Sequence, residues 1–317
     1  MINGSFTISL DFELFWGVRD KRSIEVYKEN LDGVWIAIPK ILELFNKYNI
    51  HASWATVGFL FFVNFDELCK NFPNSLPNYK NKNLSPYDYI VGDKNNDEKR
   101  YHFAKDLIKL IGESSGQEIT SHTFSHFYTE EENHNKGSFQ DDTKAFKRIC
   151  SNNNIDVKSI VFPRNQMNQE SLKTIKKEGI SIYRGNPKHW AYKNGDIDKD
   201  FKTKAFRFID TFFNLSGYKT SVPEKTNGLY NVRSSMFLRP YSQKFKILES
   251  LKLRRIKKAM LYAAKNNENF HLWWHPHNFG VNIEKNMQNL EEILKYYKYL
   301  EEKYNMKSKN MKELIYG

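Results

Sequence analysis

Cysteine is scarce in this sequence of 317 residues. Cys69 and Cys150 are its only cysteines, and neither lies in a spacing that would build a thiolate metal site. A disulfide framework is therefore excluded, and the scarcity indicates a reducing compartment.

Long apolar runs are absent as well. The longest charge-free apolar stretch, residues 52–63, is shorter than the roughly 20 residues that span a bilayer. The chain opens with Met1, Ile2, Asn3 and Gly4 and enters the strand-like segment SFTISLDFE at once, without the basic start and apolar core of an export signal. We therefore expect a soluble, cytoplasmic protein.

Acidic residues are fewer than basic ones. Lys and Arg number 49 against 37 Asp and Glu, which gives a net charge of +12. Such a charge favours anionic partners in general and selects none of them. Because the basic residues are dispersed and no recognition motif accompanies them, we expect no nucleic-acid partner.

Aromatic residues are plentiful, with 24 Phe, 18 Tyr and 6 Trp, and they supply material for a large core. Short β-rich runs alternate with segments that carry apolar residues at helical spacing, beginning with the helix predicted around residues 34–48. Further helices are predicted over residues 103–112, 138–152, 169–178, 245–266 and 283–304. The alternation predicts an α/β fold of parallel βαβ units, arranged as a barrel or a doubly wound sheet.

A single domain is expected to span residues 1–317, because the sequence shows no interdomain linker and no repeat. Two irregular surface insertions are predicted within it. Residues 72–100 hold three of the nine prolines and many Asn, Lys and Asp residues. Residues 186–204 form the second insertion.

Two acidic residues interrupt the apolar first strand. Asp11 and Glu13 are two positions apart, so both carboxylates lie on one face of the strand while Phe12 points the other way. Burying two neighbouring carboxylates is unfavourable unless a cation or a reaction requires them. We interpret one as a metal ligand and the other as a base; the alternative is a strand end at the surface.

Five of the nine histidines fall in two clusters at the ends of predicted strands, where parallel α/β folds collect active-site residues. In the first cluster, SHTFSH, His122 and His126 are four residues apart. Both imidazoles can therefore reach one ion from a helical turn or a compact loop.

The second cluster, HLWWHPHNFG, places His275 and His277 directly after Trp273 and Trp274. A histidine beside bulky aromatic rings suits a general acid, and the rings offer a wall for a ring-shaped substrate. Buried structural histidines are the alternative. A third motif, VFPRNQ, ends a strand with Arg164, which can pair with a carboxylate and hold it ionised.

Four motifs follow one another along the chain: the acidic motif, His-Thr-x-x-His, the arginine motif and Leu-x-x-His. In this order they resemble the motifs of the NodB-type polysaccharide deacetylases, carbohydrate esterase family four. The resemblance covers residues 6–278. It implies a distorted, incomplete (β/α) barrel, which agrees with the alternation of strands and helices.

The resemblance also implies roles for the acidic and histidine residues. Glu13, His122 and His126 correspond to the metal-binding triad of the family, with zinc as the expected ion, and Asp11 corresponds to the general base. The family motif has adjacent Asp-Asp, whereas here Phe12 separates the two acids. The sequence therefore leaves open which of Asp11 and Glu13 is the metal ligand and which is the base.

For the remaining motifs, Arg164 resembles the arginine that orients the base, and His275 resembles the general acid. Trp273, Trp274 and His277 are expected to bind substrate, with His277 alternatively supporting His275. The arginine motif reads Pro-Arg rather than Arg-x-Pro. The family's remaining acidic motif has a weak candidate in the segment FRFID, whose last residue is number 210.

The function that follows is metal-dependent hydrolysis of an N-acyl group, most simply N-acetyl, from an amino sugar. A chain in the cytoplasm meets nucleotide-linked or lipid-linked sugars, so we expect a precursor of a surface glycan. For the segment KLRRIKK, residues 252–258, two interpretations are open: contact with the phosphate or a membrane surface, or a solvated helix face. The alternatives are a cyclic amide or ureide hydrolase of the same fold and a noncatalytic glycan-binding protein.

Overall fold

The computed structural model describes residues 3–92, 99–132, 137–193 and 200–317. Within these residues the strands are β1 (Ser5–Phe12), β2 (Ala52–Thr56), β3 (Gln117–Ser121), β4 (Ser159–Ile160), β5 (Ile182–Gly185), β6 (Glu224–Thr226), β7 (Leu229–Arg233), β8 (Met236–Phe237), β9 (Asn269–Trp274) and β10 (Lys307–Ser308). The α-helices are α1 (Ile24–Tyr48), α2 (Phe65–Cys69), α3 (Pro86–Gly92), α4 (Lys105–Glu113), α5 (Ser138–Asn152), α6 (Gln169–Lys177), α7 (Phe201–Asp210), α8 (Glu249–Asn266), α9 (Ile283–Tyr304) and α10 (Met311–Tyr316).

All of these strands join one sheet in the order β6, β7, β5, β4, β3, β2, β1, β9, β8, and β10 pairs with the start of β1. Neighbouring strands are parallel except for β6 and β7. The central strands β1 and β2 are buried along their whole length, as expected for parallel strands covered by helices. In the part of the chain that is described, β6 and β8 do not pair with each other, so the sheet stays open. The predicted α/β fold with an incomplete barrel is confirmed.

The helices agree closely with the periodicity of the sequence. Helices α5 and α9 begin and end at the predicted residues, whereas α8 begins at Glu249 because residues 243–248 form a 3-10 segment. Helix α1 begins at Ile24, before the predicted stretch, and helices α2, α3, α7 and α10 were not predicted. No helix among the described residues is long and apolar enough to cross a membrane.

Helix α1 packs against the core and against the segment that follows β9. Val34, Ile38 and Phe45 are buried, as their spacing predicts. At Gly33 an added Cβ atom would lie 2.0 Å from the carbonyl oxygen of Gly280. The two backbones are therefore in close contact, and the residues after β9 are fixed against α1.

The described part of the first predicted insertion contributes to the core. Between residues 72 and 92, Tyr79 and Leu84 are buried together, and Tyr87 and Ile90 of α3 belong to the main core. Pro86 is the first residue of α3, a position where the missing N–H costs no hydrogen bond. Residues 93–98 of the first insertion and 194–199 of the second lie outside the described residues.

Candidate metal and catalytic site

The carboxyl end of β1 carries two buried acidic side chains. Strand β1 lies between β2 and β9, and Asp11 and Glu13 at its end are only 3% and 4% exposed. Gly17 leaves space for the second carboxylate, because a Cβ atom there would lie 1.9 Å from Glu13 Oε1. The alternative of a strand end at the surface is thus excluded.

His122 and His126 follow β3 and direct both imidazoles at Glu13. Their Nε2 atoms lie 3.2 and 3.0 Å from Glu13 Oε2. Each Nδ1 atom has another partner: the Val161 carbonyl oxygen at 2.8 Å for His122, and the Tyr128 hydroxyl at 3.1 Å for His126. One donor atom from each of the three side chains lies within 4.8 Å of the others. The structure therefore brings the predicted triad together.

The electrostatics of this triad suit a cation. Burial lowers the pKa of His126 to about 4, so its imidazole is uncharged at neutral pH, the form in which histidine binds a metal. Burial opposes ionisation of Glu13, but the neighbouring His275, His122 and His126 outweigh it and hold the pKa of Glu13 well below its usual value. Imidazole nitrogen and carboxylate oxygen are the donors of catalytic zinc sites, which use three protein ligands and keep a position open.

The loop that carries the two histidines is held by Asp142 on α5. Its carboxylate accepts hydrogen bonds from the backbone N–H groups of Phe124 and Ser125 and from the Ser125 hydroxyl. Two loop residues, Thr123 and His126, have left-handed backbone φ angles of 65° and 57°, a strained conformation that needs such support. Burial raises the pKa of Asp142 to about 7. The sequence signal for this residue is an acid on the apolar face of a helix, and it was missed.

Arg184 at the end of β5 holds Asp11. The guanidinium is fully buried and donates to both carboxylate oxygens, at 2.6 and 2.8 Å. It also donates to Ser9 Oγ at 3.0 Å and to Asn165 Oδ1 at 2.9 Å. Burial raises the pKa of Asp11, but the charge of Arg184 and the nearby histidines outweigh this effect and the pKa is lowered.

The prediction that Arg164 orients the base needs correction. Its guanidinium forms an ion pair with Asp20 and lies 4.2 Å from the centre of the Tyr128 ring. Arg164 itself sits in a tight turn with φ 54°, and its neighbour Asn165 is the residue that reaches Arg184. The motif thus supplies an amide to the site, while the arginine comes from the next strand.

The two histidines after β9 lie parallel, with ring centres 5.0 Å apart. His275 is the outer one, with 24% of its side chain exposed. Its Nε2 atom lies 3.8 Å from Asp11 Oδ2 and 3.7 Å from Glu13 Oε1. His277 is buried and packs edge-on against Tyr27. His277 therefore supports His275 and does not offer a surface to substrate.

Strand alternation separates the two tryptophans that were predicted to bind substrate. Trp273 is half-buried and faces the site, where the Arg184 guanidinium lies 4.3 Å from its ring centre. Trp274 points to the opposite side, is fully buried and packs against Phe45 and Phe279. The prediction for Trp274 is wrong, because neighbouring strand residues face opposite sides of the sheet.

A cavity of about 250 Å³ lies beside Trp273 and His275. Its lining also contains three basic residues and one acidic residue, and we call it the basic cavity. These four are Arg207, Lys219, Arg239 and Asp210.

Asp210 belongs to an ion cluster rather than to the metal triad. It pairs with Lys219 at 2.9 Å and with Arg255 of α8 at 2.8 Å. Lys252 of the same helix is also buried and pairs with Glu249. Residues 252–258 were considered as a basic face for a phosphate or a membrane. That interpretation is wrong for Lys252 and Arg255, because both side chains are buried.

Comparison with known proteins identifies the fold. No family model matches the sequence, and no curated protein matches it. A Mycobacterium smegmatis protein assigned as a polysaccharide deacetylase matches with a TM-score of 0.59 and 10% identity, over 98% of this chain and 89% of that one. One from Pseudomonas aeruginosa PAO1 with the same assignment matches with a TM-score of 0.55 and 10% identity, over 98% and 88%.

A GH57-type branching enzyme from Pyrococcus horikoshii is also similar, with a TM-score of 0.52 and 10% identity over 97% of this chain and 69% of that one. The chain therefore has the fold of the NodB-type deacetylases, as its motifs indicated. Since a branching enzyme shares this architecture, the fold alone does not fix the reaction.

Proposed function

We propose that this protein removes an N-acyl group, most simply an acetyl group, from an amino sugar by metal-assisted hydrolysis. One observation carries the proposal: the Glu13, His122 and His126 donors converge directly beside Asp11 and His275. A metal-binding triad, an ionised acid and a partly exposed histidine are the parts that such a hydrolysis needs.

The residues present fit a divalent ion, and zinc is the ion we propose. Each histidine is fixed through its Nδ1 atom by an oxygen partner, which orients Nε2 towards the common point, as is usual for metal-binding histidines. A bound zinc ion acts as a Lewis acid and makes a water molecule a better nucleophile at neutral pH. In this assignment Glu13 is the ligand and Asp11 is not.

Asp11 is proposed as the general base. Arg184 holds its carboxylate by both oxygens, which keeps it ionised and fixes its direction. It receives the proton of the water whose oxygen attacks the acyl carbon. Arg184 acts as a positioning residue in this step because its contact is with the base.

His275 is proposed as the general acid. It lines the cavity and is partly exposed, whereas His277 is buried behind it. When the bond between the acyl carbon and nitrogen breaks, His275 donates a proton to the nitrogen, so that an amine leaves. The products are a carboxylate and an amino sugar.

The substrate form is part of the same proposal. We infer that the sugar is a nucleotide-linked or lipid-linked precursor of a surface glycan, handled in the cytoplasm by one catalytic domain. Trp273 supplies apolar surface for a sugar ring beside His275. With two of its cations buried, the segment 252–258 gives little support to a membrane contact.

The direct test is release of acetate by zinc-loaded protein from a panel of N-acetylated sugars. The panel contains nucleotide-linked sugars, free sugars and chito-oligosaccharides. Ring amides such as hydantoin are assayed beside it, by the carboxylate that ring opening forms. Hydrolysis of ring amides alone would favour the cyclic amide hydrolase. Binding of oligosaccharides without release of acetate would favour a noncatalytic glycan-binding protein, against which the intact acid and histidine set counts.

A further inference from the structure

We propose that the basic cavity binds a phosphoryl group of the sugar substrate. The inference rests on the proposed function, which places the acyl group of the same sugar at His275. It is carried by the position, the charge and the size of the cavity.

The basic cavity lies directly beside the reaction site. Trp273 and His275 line the cavity, and His275 is also the residue that lies 3.8 Å from Asp11. A ligand in the cavity can therefore place its ring on Trp273 while an attached acyl group reaches the acids.

The described residues that line the cavity give it a positive charge. The one acidic residue among them, Asp210, already has two cationic partners, Lys219 and Arg255. Tyr192 and Ser216 also donate hydrogen bonds to the same carboxylate. Asp210 is thus fully engaged, and the cluster of Asp210, Lys219 and Arg255 keeps a net positive charge.

Arg239 adds a second positive charge. Its Nε atom donates to Thr211 Oγ1 at 2.8 Å, and its guanidinium lies 5.7 Å from the ring centre of Phe208. Among the described residues no carboxylate forms an ion pair with Arg239. Its two terminal amino groups therefore offer the paired donors that recognise phosphate oxygens.

The size of the cavity limits what can carry the phosphoryl group. At about 250 Å³ it is smaller than the roughly 300–1,000 Å³ of a pocket for a drug-sized ligand. It suits one sugar with a compact anion. A nucleotide or a lipid attached to that anion would extend beyond the cavity.

Binding of product analogues tests the proposal without turnover, because glucosamine and glucosamine 1-phosphate have no acyl group. We expect calorimetry on zinc-loaded protein to show at least about tenfold tighter binding of the phosphate. Arg239→Gln should abolish this preference while leaving glucosamine binding unchanged, and Arg239→Lys should restore part of it. Arg254→Gln is the matched control, since this exposed arginine of α8 lies outside the cavity lining.

Equal affinity for the two ligands in the unaltered protein would overturn the proposal, as would an unchanged preference in Arg239→Gln. Glucosamine linked to uridine diphosphate and glucosamine linked to an alkyl phosphate then distinguish a nucleotide from a lipid as the source of the phosphoryl group. Only the linkage that the protein accepts should keep the tighter binding.

Acetate release from N-acetylglucosamine 1-phosphate is measured in parallel and tests the proposed function separately. Preferential binding of the phosphate without release refutes the hydrolysis and leaves the phosphoryl site supported. Release without preferential binding overturns the phosphoryl site alone.

Discussion

Replacement of Arg184 by Met is expected to destabilise the protein strongly. The guanidinium is fully buried, and both of its terminal nitrogens contact Asp11. Its removal leaves a buried carboxylate without a counter-charge, and breaking a buried pair in this way costs about 3–5 kcal/mol. Since domains of this kind are stable by about 5–15 kcal/mol, Arg184→Met should lose a large share of its free energy of unfolding.

Urea unfolding of Arg184→Met, Asp11→Asn and the double variant measures this coupling. We expect the double variant to lose less stability than the sum of the single variants, because it leaves no unpaired charge. The loss should also depend on pH. The lowered pKa of Asp11 makes the ionised pair fully stabilising above the unfolded pKa of about 3.9. The difference between the unaltered protein and Arg184→Met should therefore narrow as the pH falls below that value, through the lowered pKa of the folded state.

Arg164→Met is the control, because it also removes an arginine from an ion pair, with Asp20, but not from the base. It should leave the turnover of the folded protein much less affected than Arg184→Lys, which keeps the charge and loses the paired donors. Strict additivity in the double variant, or an equal loss of turnover for Arg164→Met, would refute the role assigned to Arg184.

Four variants test the rest of the site. Asp11→Asn should lower turnover by about 10²–10⁴-fold with metal content by atomic emission retained, whereas Glu13→Ala should lose metal and activity together; the reverse pattern exchanges their roles. His275→Ala should slow N-acetyl amides far more than activated acetate esters, because only an amine needs a proton to leave, and equal losses on both would count against a general acid. As the pKa of Asp142 is raised to about 7, the folded protein binds this proton more tightly than the unfolded chain does. The unfolding free energy of the unaltered protein in urea should therefore fall, relative to that of Asp142→Asn, by up to about 1.4 kcal/mol per pH unit as the pH rises from about 5 to about 7. Parallel curves of stability against pH for the two proteins would contradict this.

The parts of the site that sequence could predict are those encoded within one strand end. Asp11 and Glu13 share a face because they are two residues apart, and His122 and His126 meet because they occupy one short loop. Parallel topology then brings these strand ends to the same edge of the sheet. Local spacing and one topological rule were therefore sufficient to predict that these four side chains meet, whereas the choice of Glu13 rather than Asp11 as the third ligand came from the resemblance to the deacetylase family.

Contacts between distant segments could not be predicted in this way. Arg184 lies 173 residues from Asp11 along the chain, and nothing in the local pattern distinguishes it from Arg164. Its role depends on β5 following β4 in the sheet and on the turn that directs Asn165 rather than Arg164 inwards. The available signal, an arginine at the end of the apolar run ISIYRG, is the same signal that VFPR gives for Arg164.

A branching enzyme shares this architecture, so the fold is compatible with cleavage of a glycosidic bond as well as of an acyl group. The ionisation of Asp11 and Glu13 distinguishes these two reactions. Cleavage of a glycosidic bond uses two carboxyl groups, one of which must be protonated at working pH and therefore needs a raised pKa. Here the pKa values of Asp11 and Glu13 are both lowered, by Arg184 and by the histidines, against the effect of burial. Neither acid is poised to donate a proton, so the donor must be another residue, and His275 is the partly exposed histidine beside them. The arrangement therefore favours hydrolysis of an acyl group, with a carboxylate as base and a histidine as acid, over glycosidic chemistry.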